Sequence, residues 1–215
     1  RAGTSTQYND EALLAQVPLD ADGYPTSIPA GVTEIGTLIL MEQPAASASA
    51  IGGRYRLTYL GSGSVVVDGG SSVVSTPGQI EFDYAPNGSN SIGVRILSTT
   101  TGNHVHGIQC YMVQHAALVA DGKRVHPAFR AAWGGVKLIR WMTAQSVNTS
   151  QQTNWADVPR PTSIARGPSW EEMVDVCNEL GADGWFNFPF RATSDLVTQA
   201  STIVRDRMNP ALKSY

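Results

Sequence analysis

The sequence predicts an α+β multidomain chain: an antiparallel β-sandwich, jelly-roll-like, followed by an incomplete (β/α) barrel segment. Two rhythms carry that expectation. Over residues 31–103, short runs alternating in period two are separated by Gly, Pro and Asn turns, the pattern of strands with one buried face. Over residues 104–215, apolar runs alternate with stretches of helical spacing, which implies a parallel sheet with crossover helices. Lys and Arg are scarce before residue 104 and Gly, Ser, Val and Thr dominate there. The chain thus divides into an N-terminal extended segment (1–30), a β-sandwich (31–103) and a partial β/α barrel (104–215).

The first strand of the sandwich is expected within 31–40. Residues 54–60 alternate cleanly, and Gly61-Ser-Gly63 turns the chain into the run 64–68. Gly69-Gly70 leads to 71–75, Thr76-Pro-Gly78 to the alternating run 79–84, and Pro86-Asn-Gly-Ser89 to 91–97. Glycine supplies the positive φ that tight turns require, and proline presets one turn dihedral.

In the second part, 104–113 reads as a strand and 126–133 as a short helix with Pro127 in its first turn, where its missing N–H costs nothing. Gly134-Gly135 ends that helix before a strand at 136–142. A polar loop, 143–167, precedes Ser169, which caps a helix carrying Glu171 and Glu172 in its first turn; the helix dipole favours carboxylates there. Val174, Cys177 and Leu180 form its apolar stripe and Gly181 ends it. A short apolar strand follows and runs into Asn187, Phe188 and Pro189. A further helix starts at Ser194 or Asp195 and stops before Pro210, and 211–215 reads as the start of one more strand. Three strands and about three helices make less than half of a (β/α)₈ barrel of ~250 residues.

Composition excludes several functions. With 15% charged residues and a net charge of −3 over 215 residues, the chain lacks the basic stripe of an electrostatic nucleic-acid binder. No run approaches the ~18 apolar residues of a membrane span. The chain opens at Arg1 with no methionine or signal-like apolar core, which reads as a processed start. Cys110 and Cys177 are expected to be two buried free thiols rather than a disulfide. No nucleophile elbow, P-loop or dinucleotide fingerprint occurs, so no cofactor is assigned. His104 and His106 alternate on one strand without a third ligand at suitable spacing, so no metal is assigned either. Asp20-Ala-Asp22-Gly23 echoes a calcium loop, but Pro29 stands where its glutamate belongs, and the segment reads as a turn. Asn87-Gly-Ser89 and Asn148-Thr-Ser150 are formal glycosylation sequons.

Five segments together resemble a family. They are PLDADGYPTSIP (18–29), GRYRLTYLGSGSV (53–65), WADVPRP (155–161), LGADGWFNFPF (180–190) and VRDRMNPALKSY (204–215). In this order they are similar to secreted bacterial proteins described as cellulose-binding or glycoside-hydrolase-like. Those combine a β-sandwich with a barrel similar to clan A glycoside hydrolases. The resemblance implies a retaining glycosidase frame, with two glutamates ~5–5.5 Å apart, one attacking the sugar and one protonating the leaving oxygen. It places both glutamates, after the fourth and seventh strands, beyond Tyr215. No catalytic residue is therefore assigned within this chain. The family pattern also implies an acidic residue at Arg140 and a histidine at Phe190, whereas Asn187, Trp141, Trp155 and Asp157 match it.

The substrate-binding candidates are Asn187, Trp155, Trp141, Arg140 and Asp157. Each also has a structural reading. Asn187 at a strand end either hydrogen-bonds a sugar hydroxyl or satisfies loop backbone beside Pro189. Trp141, Trp155, Trp170 and Trp185 offer flat faces for sugars, yet tryptophan is first a core residue; Trp155 lies in the polar loop, where function concentrates. Asp157 caps a turn before Pro159 in preference to acting in catalysis. Arg140 pairs with a carboxylate such as Asp157, or binds an anionic glycan.

The function expected is carbohydrate recognition at a cell surface, in a secretome or on a virus-like particle, hence extracellular or particle-surface. The expected partners are a polysaccharide or cell-surface glycan, together with the rest of the barrel or another protein chain covering the open sheet edge near 185–188 or 211–215. Two alternatives stand beside it: the N-terminal part of an active retaining glycoside hydrolase, and a non-catalytic structural or adhesive component such as a phage tail or surface filament protein.

Overall fold

The computed structural model describes residues 2–3, 11–142, 144, 152–164 and 167–215. The chain divides into two compact units, Arg1–Ala117 and Leu118–Tyr215. It is an α+β protein with mainly antiparallel sheets.

The first unit contains β1 (Ala2–Gly3), the single helical turn α1 (Glu11–Leu14), β2 (Glu34–Ile39) and a second short helix, α2 (Ala48–Ile51). It continues with β3 (Gly53–Leu60), β4 (Gly63–Asp68), β5 (Ser71–Thr76), β6 (Gln79–Tyr84), β7 (Ile92–Thr99) and β8 (His106–Met112). One sheet has the order β1-β2-β7-β4 and the other β5-β6-β3-β8. Every pairing in them is antiparallel.

Alternation in the sequence becomes alternation in burial. Tyr55, Leu57 and Tyr59 on β3 and Ile80, Phe82 and Tyr84 on β6 are buried. They share one core with Val65 and Val67 of β4 and Ile92, Val94 and Ile96 of β7, so both sheets contribute an inner face to it. Tyr55 stacks on Phe82 with ring centroids 5.5 Å apart. Burying a side chain of this size stabilises by roughly 1.5–3 kcal/mol, which makes period two a strong constraint: a slip of one residue turns the set to water.

The strand expected over 104–113 is β8, and its partner is β3 of the first unit rather than a parallel neighbour. The segment before residue 31 is tied down by a turn. Asp20 Oδ1 accepts the amides of Asp22 (2.9 Å) and Tyr24 (2.8 Å), as an Asx turn does. Asp20 Oδ2 meets His104 Nε2 at 2.7 Å, and the Tyr24 hydroxyl accepts the Ile108 amide at 3.1 Å. His104 therefore serves as an anchor for this turn. Among the described residues no group of three His, Cys, Asp or Glu side chains is arranged to hold a metal. The Asn87 sequon folds as another Asx turn, with Asn87 Oδ1 accepting the amides of Ser89 and Asn90.

The two thiols are free, but they differ: Cys177 is buried and Cys110 is exposed. Cys110 sits on β8 opposite Leu57. Although it is exposed by surface area, the protein packed around its thiol pushes the pKa up to about 12.

The second unit follows α3 (Ala116–Ala120), in which the division falls. It contains α4 (Pro127–Trp133), β9 (Leu138–Arg140), α5 (Trp170–Leu180), β10 (Asp183–Trp185) and α6 (Ser194–Arg207). Pro127 starts α4 with His126 as its N-cap, and Thr193 caps α6. Ser169 and Glu172 form a reciprocal capping box at α5: Ser169 Oγ accepts the Glu172 amide at 3.2 Å and Glu172 Oε2 the Ser169 amide at 2.8 Å. At the other end Gly181 adopts φ 65°, ψ 36°, the left-handed conformation that glycine enters without a Cβ clash.

Trp170, Met173, Val174 and Cys177 of α5 pack with Leu196, Ala200 and Val204 of α6 and with Phe186. A charged network overlies that core: Arg124 reaches Glu172 (3.0 Å) and Asp175 (3.1 Å), and Arg207 clasps Asp175 with two bonds. Among the described residues no helix is long and apolar enough to cross a membrane.

Candidate functional site

β9 and β10 pair in parallel, with Leu138 beside Asp183, Ile139 beside Gly184 and Arg140 beside Trp185. The chain terminus adds a third parallel strand on the other side of β10. The amides of Gly184 and Phe186 donate to Lys213 O (2.9 Å) and Tyr215 O (2.8 Å), and the Tyr215 amide returns to Gly184 O at 2.8 Å. The edge at residues 185–186, expected to need a cover, is paired with the chain's own 213–215. A parallel strand flanked on both sides is the natural centre of such a sheet, and the carboxyl ends of the strands are where ligand groups gather.

The pleat sorts the candidates between two faces. Ile139, Gly184 and Phe186 lie on the face covered by the helices. Trp141 follows the same parity: it packs on that core, and its indole N–H donates to Cys177 Sγ at 3.4 Å. Trp141 is thus half-buried against the core, with its indole N–H committed to Cys177. The opposite face carries Leu138 (44% exposed), Trp185 (41%), Arg140 and, on the terminal strand, Tyr215 (60%). Parallel sheets are normally covered on both faces, so this apolar exposure sets the face apart.

Arg140 holds its guanidinium carbon 4.7 Å from the centroid of the Trp185 ring. Its expected pairing with Asp157 is absent, because Asp157 is engaged elsewhere. Residues Trp155–Asp157 form a 3-10 turn in which Asp157 Oδ2 accepts the amides of Thr153 (3.0 Å) and Asn154 (2.8 Å). Those backbone donors hold the Asp157 carboxyl below the usual carboxylate range. Trp155, in the same turn, is half-buried against the core of α5 and α6. Of the loop that contains it, residues 143, 145–151, 165 and 166 lie outside the described residues, the Asn148 sequon among them.

Asn187 stands two residues beyond β10, between Phe186, which is buried, and Phe188, which stacks on Trp170 at 4.9 Å. Its Oδ1 is buried and accepts no hydrogen bond among the described residues. The indole N–H of Trp170 is likewise buried without a partner. A buried acceptor left unpaired costs about 1–3 kcal/mol, a deficit that native proteins concentrate at functional positions. The alternative in which the Asn187 amide oxygen satisfies nearby loop backbone is not realised.

The structure therefore brings Arg140 and Trp185 together at the carboxyl ends of β9 and β10, with Asn187 two residues beyond, sets Trp141 and Trp155 half-buried against the helix-side core, and commits Asp157 to its turn. Trp185 was indistinguishable in sequence from the other tryptophans. Its only local signal is its position two residues before Asn187. Phe190, where the resemblance implied histidine, is exposed. Hollows elsewhere have other causes: one lies over the Glu34–Arg95–Asp68 cluster on β2, β7 and β4, another beside Lys123, Arg130 and Glu179. No protein-family model, no curated protein and no solved structure matches this chain.

Proposed function

We propose that this is a carbohydrate-recognising, glycoside-hydrolase-like protein of the cell exterior or of a particle surface, which binds a polysaccharide or cell-surface glycan. The frame in this reading is an antiparallel sandwich followed by the first part of a β/α barrel. The two sheets with a common core, and the parallel pair β9–β10 with its bridge to 213–215 packed on α5 and α6, are consistent with that frame. The observation that carries the reading is the exposed ring of Trp185 at a parallel-strand rim, followed two residues along the chain by the buried, unpaired Oδ1 of Asn187. A sugar supplies both complements, hydroxyl donors for the amide oxygen and C–H faces for the ring.

The test exploits the missing partner. In the free protein, Asn187→Leu removes an unsatisfied polar atom at similar volume, so stability stays level or rises. The same change removes the acceptor for a ligand hydroxyl, and binding on a glycan array of plant and bacterial polysaccharides falls. Loss of stability with unchanged binding to an identified glycan would sink the assignment.

A second reading, the N-terminal part of an active retaining glycoside hydrolase, is favoured by the bare face of Leu138, Trp185 and Tyr215. In a closed barrel that face becomes interior. The mass of the native polypeptide separates the two: a native chain ending at Tyr215 removes the hydrolase reading.

A further inference from the structure

We propose that the rim formed by Arg140, Trp185 and Asn187 selects an acidic glycan, a uronic-acid-containing chain whose carboxylate is held by Arg140. The inference rests on the carbohydrate reading and narrows it to a substrate class.

Arg140 differs from the paired arginines of the chain. Arg124 and Arg207 in the same unit, like Arg54 and Arg95 in the first, reach carboxylates. Arg140 makes no ion pair among the described residues, and its one contact of note is the ring of Trp185. Asp157, the carboxylate nearest to it in expectation, is committed to two backbone amides. Asp183 lies on the same sheet face one pleat upstream, opposite Leu138, and accepts the Lys213 amide at 2.9 Å. No carboxylate among the described residues therefore lies within ion-pair distance of this guanidinium.

The stacking also shapes what it can bind. A guanidinium lying over an aromatic ring uses its flat face, which leaves the N–H groups at its edge to act as donors. Two such donors in one plane match a carboxylate in bidentate geometry. Parallel register fixes the arrangement, because Arg140 and Trp185 end neighbouring strands opposite each other. Asn187, two residues further along the chain, holds an amide oxygen that is buried and unpaired among the described residues. A uronate offers a planar anion for the guanidinium edge and a sugar face for the exposed Trp185 ring; a neutral sugar answers only the ring.

The experiment titrates the full chain, by calorimetry, with trigalacturonate, with its methyl ester and with dextran sulfate. Trigalacturonate is expected to bind about tenfold or more tighter than the uncharged ester. Arg140→Ala, at an exposed position that leaves the circular dichroism unchanged, removes that preference, and Arg140→Lys restores only part of it because an ammonium lacks the planar fork. If ester and acid bind alike and Arg140→Ala changes neither, the acidic-glycan inference falls while carbohydrate recognition stands. If dextran sulfate binds at least as tightly as trigalacturonate, and does so in the Arg140→Ala protein too, the attraction is unspecific and the inference falls. If none of the three binds and the glycan array is blank as well, both readings fall.

Discussion

Gly184→Ala tests whether the packing behind the rim positions it. Gly184 sits at the centre of β10, hydrogen-bonded to the terminal strand through both its amide and its carbonyl. A Cβ placed there lies 2.4 Å from Phe186 Cε2, 2.6 Å from Cζ and 3.3 Å from Cys177 Sγ. Carbon atoms pack best at ~3.5–4.0 Å, so the ring must retreat by about 1 Å. It has nowhere to go: Phe186 is buried, its centroid is 6.0 Å from that of Trp170, and Trp170 is wholly buried and stacked on Phe188. Overpacking of this kind costs ~1–3 kcal/mol, against which removing a strand glycine returns ~0.4–1 kcal/mol through the unfolded chain.

A net loss of about 1–2 kcal/mol follows, or a urea midpoint lowered by about 0.5–1 M for an m-value near ~2 kcal/mol/M. All five tryptophans lie between Leu118 and Tyr215, so tryptophan fluorescence follows this unit in the intact chain. Gly135→Ala is the control, because its Cβ meets nothing within 4 Å and its φ is not positive; it is expected to be neutral or slightly stabilising. Equal midpoints for Gly184→Ala and wild type, at unchanged m, would refute the packing argument. Displacing Phe186 also shifts its neighbours Trp185 and Asn187, so glycan binding should weaken in the same variant.

Further outcomes can be read on the same protein. Ser169→Ala breaks the capping box of α5 and is expected to lower the midpoint by the equivalent of about 1 kcal/mol, whereas Ser169→Gly costs only a few tenths; an unchanged midpoint in Ser169→Ala would show that the cap contributes nothing. Desolvation pushes the Asp175 carboxyl up, but Arg207 and Arg124 outweigh it and hold the pKa below the usual value. Its contribution is therefore present above the unfolded value near ~3.9 and is lost as pH falls through the folded one. Asp175→Asn should accordingly destabilise at neutral pH, with a gap to wild type that narrows in acid; a gap independent of pH would contradict the ion-pair assignment. Asp20→Ala removes the acceptor of the Asp22 and Tyr24 amides and the partner of His104. Amide exchange at Tyr24 should then accelerate by about tenfold, one hydrogen bond's worth of ~1.4 kcal/mol, and unchanged protection would show that the turn is held by other contacts.

Legibility in the sequence followed the range of the interaction. Strands β3 to β7 were visible because alternation and Gly or Pro turns are local signals, and each strand needs only its own residues to display them. The same holds for α5, where Ser169, Glu172 and Gly181 announce both ends. The partner of β8 was not visible. Residues 104–113 read as a strand under either topology, and only the pairing of Leu57 with Cys110 and Tyr55 with Met112 assigns it to β3. Exposure at Cys110 was missed for a related reason: alternation supplies a parity, while burial depends on what covers that point of the sheet.

The candidate site divided along the same line. Chemistry-bearing residues at the carboxyl end of a parallel strand were legible from type and order alone, and Asn187 stood out at once. Which side of the sheet each neighbour faced depended on the joint register of β9, β10 and 213–215, which no window of sequence contains. Sequence by itself determined the elements, their caps and the rim that could carry function, because these follow from periodicity, propensity and turn chemistry within a few residues. Tertiary structure alone decided that Trp141 packs against the core, that Arg140 lies over Trp185 without a carboxylate, and that the amide oxygen of Asn187 is left without a donor among the described residues. Those outcomes arise from contacts between segments far apart in the chain, where close packing leaves a single arrangement.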